Sequence, residues 1–173
     1  MAGALGIGLG IGDTAMSIGT SGTAYAVSTT PTNDASGAVA GFADATGRHL
    51  PLVATLNATK VTDWMAAMLG LDAPELAALA VDAPAGSDGV VLVPHLDGER
   101  TPNRPHANGE LSGVRTSTTR AALARAAHEG VVCGLLDGVD ALRHAGVELD
   151  GRLLLIGGGA RSVAFRTVVA GLA

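Results

Sequence analysis

An α/β fold is predicted by three features of the sequence. Residues 13–28 place two short apolar runs around a glycine turn, the pattern of a strand hairpin. The stretch from Thr119 to His144 has helical periodicity, with Leu123, Ala127, Val131, Leu135 and Leu142 on one face. Near the other end, "RLLLI" (152–156) reads as a buried strand that runs through Gly157-Gly158-Gly159 into a helix beginning at about Ser162. Strands and helices thus alternate along the chain.

The elements follow in order. Gly6, Gly8, Gly10 and Gly12 alternate with Ile and Leu, which superficially suggests a dinucleotide fingerprint. The context is wrong for one, because a strand and not a helix follows. The stretch reads instead as a helix end leading into the hairpin. "VSTTPTNDASGA" is a loop, and strands are expected around Val39–Ala43 and His49–Ala54. A helix over Asn57–Leu69 has Val61, Trp64, Met65, Met68 and Leu69 at core spacing, and Gly70 ends it. Trp64 reads there as core. Pro74 opens a short helix through Ala80. Gly89–Pro94 reads as a buried strand, and the long polar segment after it, "HLDGERTPNRPHANGELSGV", as a functional loop. In the long helix Gly130, Gly134 and Gly138 form a stripe expected to admit a neighbouring backbone, since its charged residues exclude a membrane span.

Composition narrows the function. The chain has 173 residues, 47% hydrophobic and 16% charged, which fits one packed domain. Aromatics are 2% and the net charge is −5, so neither base stacking nor a basic patch favours nucleic acid. No apolar run has membrane-spanning length. The single cysteine, Cys133, excludes an intrachain disulfide and suits a reducing cytosol. His49, His95, His106, His128 and His144 have no metal-site spacing and read as surface or loop residues.

Two segments carry chemistry. "SIGTSGT" (Ser17–Thr23) packs two glycines and four hydroxyl residues into seven positions, more than a hairpin turn requires. Glycines that let backbone N–H groups approach, with short hydroxyl donors beside them, make a phosphate cradle; a solvated polar hairpin has the same composition. "GGGARS" (Gly157–Ser162) joins a strand to a helix N-terminus, which favours anions. A tight turn alone needs fewer than three glycines.

Taken together and in order, these motifs resemble the carboxy-terminal domain of the FGGY family of carbohydrate kinases, and within it the bacterial xylulose kinases. "GDTAMSIGTSGT" (12–23) is similar to the family's second phosphate motif, and "LIGGGARS" (155–162) to its adenosine motif. "VPHLDGERTPNRPHANGELSGV" (93–114) resembles the loop of xylulose kinases. Gly109, Leu111, Gly113, Val114, Leu123, Ala126, Ala127 and Glu129 fit the second family signature. Ala122 departs from it where a polar residue is expected, and His128 where an apolar one is.

The resemblance implies a ribonuclease-H-like domain of the actin-like ATPase type, an α/β fold with a mixed sheet flanked by helices, in the cytoplasm. It implies ATP-dependent phosphorylation of D-xylulose at its 5-hydroxyl, with Mg2+ held mainly through the nucleotide. Thr20 and Gly22 would face the phosphates, with Thr23 beside them. Gly158, Gly159, Ala160 and Ser162 would border the adenosine, with Ala58 and Thr59 in the same pocket. The family's general base is an Asp in Gly-Asp-Asn, whose usual continuation resembles Ala2–Gly6. Residues 1–173 would therefore be part of the nucleotide-binding domain, with the catalytic Asp and the sugar domain outside them. No metal ligand and no catalytic residue is expected within the chain. Asp13, at the strand entry, is expected to be structural. A complementing chain or a second copy would be the protein partner. The alternatives are a nucleotide-binding module or remnant without kinase activity, and a kinase for another sugar or polyol.

Overall fold

A computed structural model describes residues 2–173. A short helix, α1 (Ala2–Gly6), leads into the hairpin of β1 (Thr14–Ile18) and β2 (Gly22–Ala26). After a long loop come β3 (Leu52–Thr55), α2 (Thr59–Leu69) and α3 (Ala73–Asp82). Then follow β4 (Val91–Val93), β5 (Glu110–Ser112), α4 (Arg120–His144), β6 (Leu153–Ile156) and α5 (Val163–Leu172).

The main sheet has the order β3-β2-β1-β6. The hairpin pairs antiparallel, with Ser17 opposite Thr23 and Ile18 opposite Gly22. β6 joins β1 in parallel, with Thr14 opposite Leu153. Side chains alternate across the sheet. Met16, Ile18, Ala24, Ala26 and Val53 pack in one core with Val131, Leu135 and Val139 of α4. Ala15, Tyr25 and Val27 turn to the opposite face and meet Ala4 and Leu9 in a smaller cluster. Among the described residues, no single helix is long and apolar enough to cross a membrane.

Helix ends follow local chemistry. Gly70 stops α2 in the left-handed conformation (φ 65°) that glycine adopts freely. Asp72 caps α3 through the Glu75 N–H, and Glu75 returns the bond to the Asp72 N–H, with Pro74 in the first turn. Thr119 caps α4.

Several expectations are corrected. Val39–Ala43 is not a strand: only isolated bridges form, Ala40 to Leu52 and Ala43 to His49, with Gly41 weakening the run between them. The next strand begins at Leu52 and not His49. On α2, Val61 and Met65 are core, but Trp64 is 37% and Met68 68% exposed. The buried stripe instead includes Thr62 and Ala66, which rotates the helix away from the large residues. β4 is not a buried strand, because it pairs only with β5, a strand inside the expected loop. Leu92 turns inward and Val91 outward. β6 is only half-buried, being the edge of its sheet. In the α4 stripe, a side chain at Gly130 would strike the Leu92 carbonyl, so that close approach is real; Gly134 faces open space. His128 is not a surface histidine but lies in the core at 2% exposure.

Candidate functional site

The two glycine-rich turns meet at one cavity of about 790 Å³. Gly19 and Thr20 of the hairpin line it from one side, and Gly158, Gly159 and Ser162 from another. Thr59, Thr62 and Asp63 of α2 and Ala73, Pro74 and Ala77 of α3 close it, with His128, Arg161, Val163 and Phe165.

The hairpin tip spans residues 19–21, closed by the Gly19 N–H on the Ser21 carbonyl (3.0 Å). Its carbonyls are turned toward α2. The Ala58 N–H bonds the Thr20 carbonyl (3.1 Å) and the Thr59 N–H the Gly19 carbonyl (2.9 Å). Donors left open at a helix N-terminus are thus satisfied by the hairpin, which fixes the tip against α2. The Thr20 side chain stays exposed on the cavity wall.

The glycines of the second turn have separate duties. Gly157 has φ 89°, and a Cβ there would come within 2.5 Å of the Ile18 carbonyl oxygen. A Cβ on Gly159 would overlap the Ile18 side chain. Gly158 has nothing within 4 Å of its Cβ position and opens into the cavity. Arg166 braces the turn by donating to the carbonyls of Ala160 (3.0 Å) and Arg161 (2.8 Å), and Ser162 caps α5.

Of the residues singled out from sequence, Thr20, Thr59, Gly158, Gly159 and Ser162 come together on this wall. Gly22, Thr23, Ala58 and Ala160 do not line it. Ala58 is fully buried beneath the hairpin. Gly22 lies where a Cβ would stand 2.6 Å from Thr55 Oγ1 and 2.7 Å from Leu135 Cδ2. Its smallness admits α4, and its φ lies outside the left-handed range. Thr23 alternates with Ala24 and so faces away from α4. Sequence reading missed the α3 residues, whose place depends on a tertiary contact, and His128, hidden in a helical pattern.

The polar loop is tied to the same wall. Glu99 is 3% exposed; it accepts from the Leu56 N–H (2.5 Å), the Arg100 N–H (2.8 Å) and Asn57 Nδ2 (2.8 Å). Asn57 Nδ2 also donates to the Gly98 carbonyl (2.8 Å), while Lys60 pairs with Asp97 (3.2 Å). The residues held in this way lead directly into Ala58 and Thr59. Asp13 is spent on structure. It accepts from Gly10 N–H (2.9 Å), Arg152 N–H (2.8 Å) and the Arg152 guanidinium (2.6 Å), which hold its carboxyl well below the ordinary range.

The family model described as the FGGY family of carbohydrate kinases, C-terminal domain, matches residues 14–172. The chain belongs to the FGGY family. It is 51% identical over 168 residues to a xylulose kinase of Streptomyces coelicolor, covering 97% of this chain and 33% of that one. The structure of a xylulose kinase from Bifidobacterium adolescentis superposes with a TM-score of 0.89 at 48% identity, over 96% of this chain and 33% of that one. A Plasmodium falciparum glycerol kinase with ADP shares the fold alone, with a TM-score of 0.78 at 18% identity over 92% of this chain and 33% of that one. This FGGY chain spans about a third of the length of the relatives it matches. Its mixed sheet and flanking helices are those of the actin-like ATPase fold found in FGGY sugar kinases. Among the described residues of this FGGY domain, no group of three His, Cys, Asp or Glu side chains is placed to hold a metal ion.

Proposed function

We propose that this chain is the nucleotide-binding part of a cytoplasmic kinase that transfers the γ-phosphoryl group of ATP to the 5-hydroxyl of D-xylulose. The observation that carries the reading is the meeting of the two glycine-rich turns at one cavity. Its volume lies in the range of small-molecule sites, roughly 300–1,000 Å³. The hairpin side offers the Thr20 hydroxyl, and the α3–α5 side is apolar at Ala77, Val163 and Phe165. That polarity fits phosphates at one end and a base at the other. Gly158 leaves room that a side chain would fill.

In this reading Thr20 steadies the phosphates, and Gly158, Gly159 and Ser162 border the nucleoside. Thr59 holds the hairpin in register, with Ala58, Gly22, Thr23 and Ala160 supporting the wall from behind. Mg2+ would be held through the nucleotide phosphates, where it would neutralise their charge; no residue of this chain is assigned to it. In the transfer, the bond from the γ-phosphorus to the bridging oxygen breaks and a bond to the sugar oxygen forms. ADP leaves, and the hydroxyl proton passes to a carboxylate. The proposal assigns that carboxylate and the sugar contacts to a further FGGY domain outside these residues. The sequence contains no Gly-Asp-Asn, and Asp13 is occupied by Arg152. Identity to relatives described as xylulose kinases supports the choice of sugar.

Calorimetry tests the site. The chain is expected to bind ATP with Kd of about 0.1–1 mM, or roughly −4 to −5.5 kcal/mol. Gly158→Val should remove detectable binding at an unchanged melting temperature. Equal affinity in both proteins would falsify the assignment. A chimera tests the sugar: these residues replace the corresponding third of the Streptomyces coelicolor relative. D-xylulose is expected to stimulate ADP release by the chimera and not by the chain alone. A folded chimera without stimulation, or a chain active by itself, overturns the division of labour.

A further inference from the structure

His128 lies on α4 at the cavity, and the proposed transfer leaves it unused. Its Nδ1 is 2.8 Å from the carbonyl oxygen of Ala124. A carbonyl only accepts, so Nδ1 carries the proton. Burial pushes the imidazole pKa below its ordinary value and outweighs the opposing bond to Ala124, and the nearby Arg125 charge acts in the same direction as burial. The ring is neutral at physiological pH, and Nε2 presents a bare lone pair.

No donor among the described residues meets that lone pair. Among the described residues, Asn57 Oδ1 is the sole side-chain polar atom that is both sealed from solvent and without a partner. Nε2 is therefore unsealed, and the open space that His128 borders is the cavity. The ring packs on Phe165 with centroids 4.7 Å apart and planes at 59°. This contact sets His128 beside Phe165, which lines the same cavity. An unpaired acceptor beside an aromatic ring suits a flat group that carries an N–H donor.

We infer that His128 Nε2 accepts a hydrogen bond from the 6-amino group of a bound adenine and makes the cavity selective for 6-amino over 6-oxo purines. This rests on the nucleotide reading above. With phosphates at the hairpin and the ribose next, the edge of the purine farthest from its sugar reaches the His128 end. A 6-oxo purine sets a carbonyl oxygen against the Nε2 lone pair and leaves both unpaired. Sites built around one hydrogen bond reject the analogue that lacks it more strongly than apolar pockets reject a size change.

The test compares ATP with ITP, which has a 6-oxo group, by calorimetry on the chain. The parent is expected to bind ITP at least about tenfold more weakly than ATP. His128→Leu, which keeps an apolar contact with Phe165, should bring ATP down to the ITP level; His128→Gln, with an amide acceptor, should restore part of the preference. On the unsubstituted chain labelled with 15N, the Nε2 resonance should move on saturation with ATP and stay in place with ITP. That measurement decides the matter if the Leu variant does not fold. ATP and ITP of equal affinity, or an unmoved resonance at ATP saturation, sinks the role of His128 and leaves the site standing. A folded parent that binds neither nucleotide sinks both.

Discussion

Gly158 and Gly159 are adjacent and chemically identical, yet a side chain at each has a different consequence. At Gly159 a methyl group overlaps Ile18 in the central strand. Gly159→Ala should cost about 1–3 kcal/mol by overpacking, read as a lower urea midpoint. Gly158→Ala faces open space and should leave that midpoint within about 0.5 kcal/mol, while weakening nucleotide binding. A loss of stability at Gly158 as large as at Gly159 would contradict this division. Thr20→Ala belongs to the same class as Gly158. Its hydroxyl is solvated, so the melting curve should hold, while ATP affinity falls about tenfold, in line with roughly 1.5–3 kcal/mol for a bond to a charged group. An unchanged affinity would reduce the hairpin tip to an ordinary polar turn. The glycine run was legible in the sequence, because three in a row exceed what a turn needs. Which of them faces the ligand was not, since that depends on where Ile18 lies. For the same reason Gly22 belongs with packing against Leu135, not with backbone strain.

Elements are joined here by a few buried polar groups. The long loop reaches α2 through Glu99, whose carboxylate collects N–H groups from both sides. Glu99→Ala would leave the Leu56 N–H and the Asn57 amide without that acceptor inside the protein. The expected cost is about 1.5–3 kcal/mol, with faster hydrogen exchange at Leu56 and a looser α2 start. Exchange rates unchanged from the parent would mean that the loop is held by other contacts. The length and polarity of the loop were readable and marked it as structured. Asp97, Glu99 and Arg100 are the charged residues near its start that could pair. Only Asp97 forms such a pair, with Lys60, and Glu99 works through backbone donors that a sequence does not display. The helices show a similar limit. Thr119 and Gly70 were readable as ends because capping is local. The face that α2 buries was not, because Trp64 and Met68 fit the periodicity as well as Thr62 and Ala66 do.

Across the whole molecule, one pair joins the start of the sheet to its last strand. Asp13 and Arg152 are 139 residues apart and lie where β1 and β6 begin to run in parallel. Hydrogen bonds from the Arg152 side chain and backbone hold the Asp13 carboxyl low. A carboxyl lowered in the folded state adds stability above its unfolded value, about 3.9, and loses it as the pH falls toward the folded value. Asp44 behaves alike: burial pushes it up, but bonds from Thr46 and Arg48 prevail. Asp13→Asn should therefore flatten the fall of the urea midpoint below about pH 4. A variant as acid-sensitive as the parent would show that Asp13 does not set that slope. The parallel pairing of β6 with β1 was not legible in the sequence, since local pattern does not report which strands meet across the chain. The exposed Trp64 has a practical consequence at this scale. It is the single indole of the chain, and it sits one turn along the helix that starts at Thr59. Excited near 295 nm, its emission reports on that helix alone, without a label or a background from other indoles. A titration with ATP followed by quenching or a wavelength shift would register ordering of the helix start in the native, unsubstituted polypeptide.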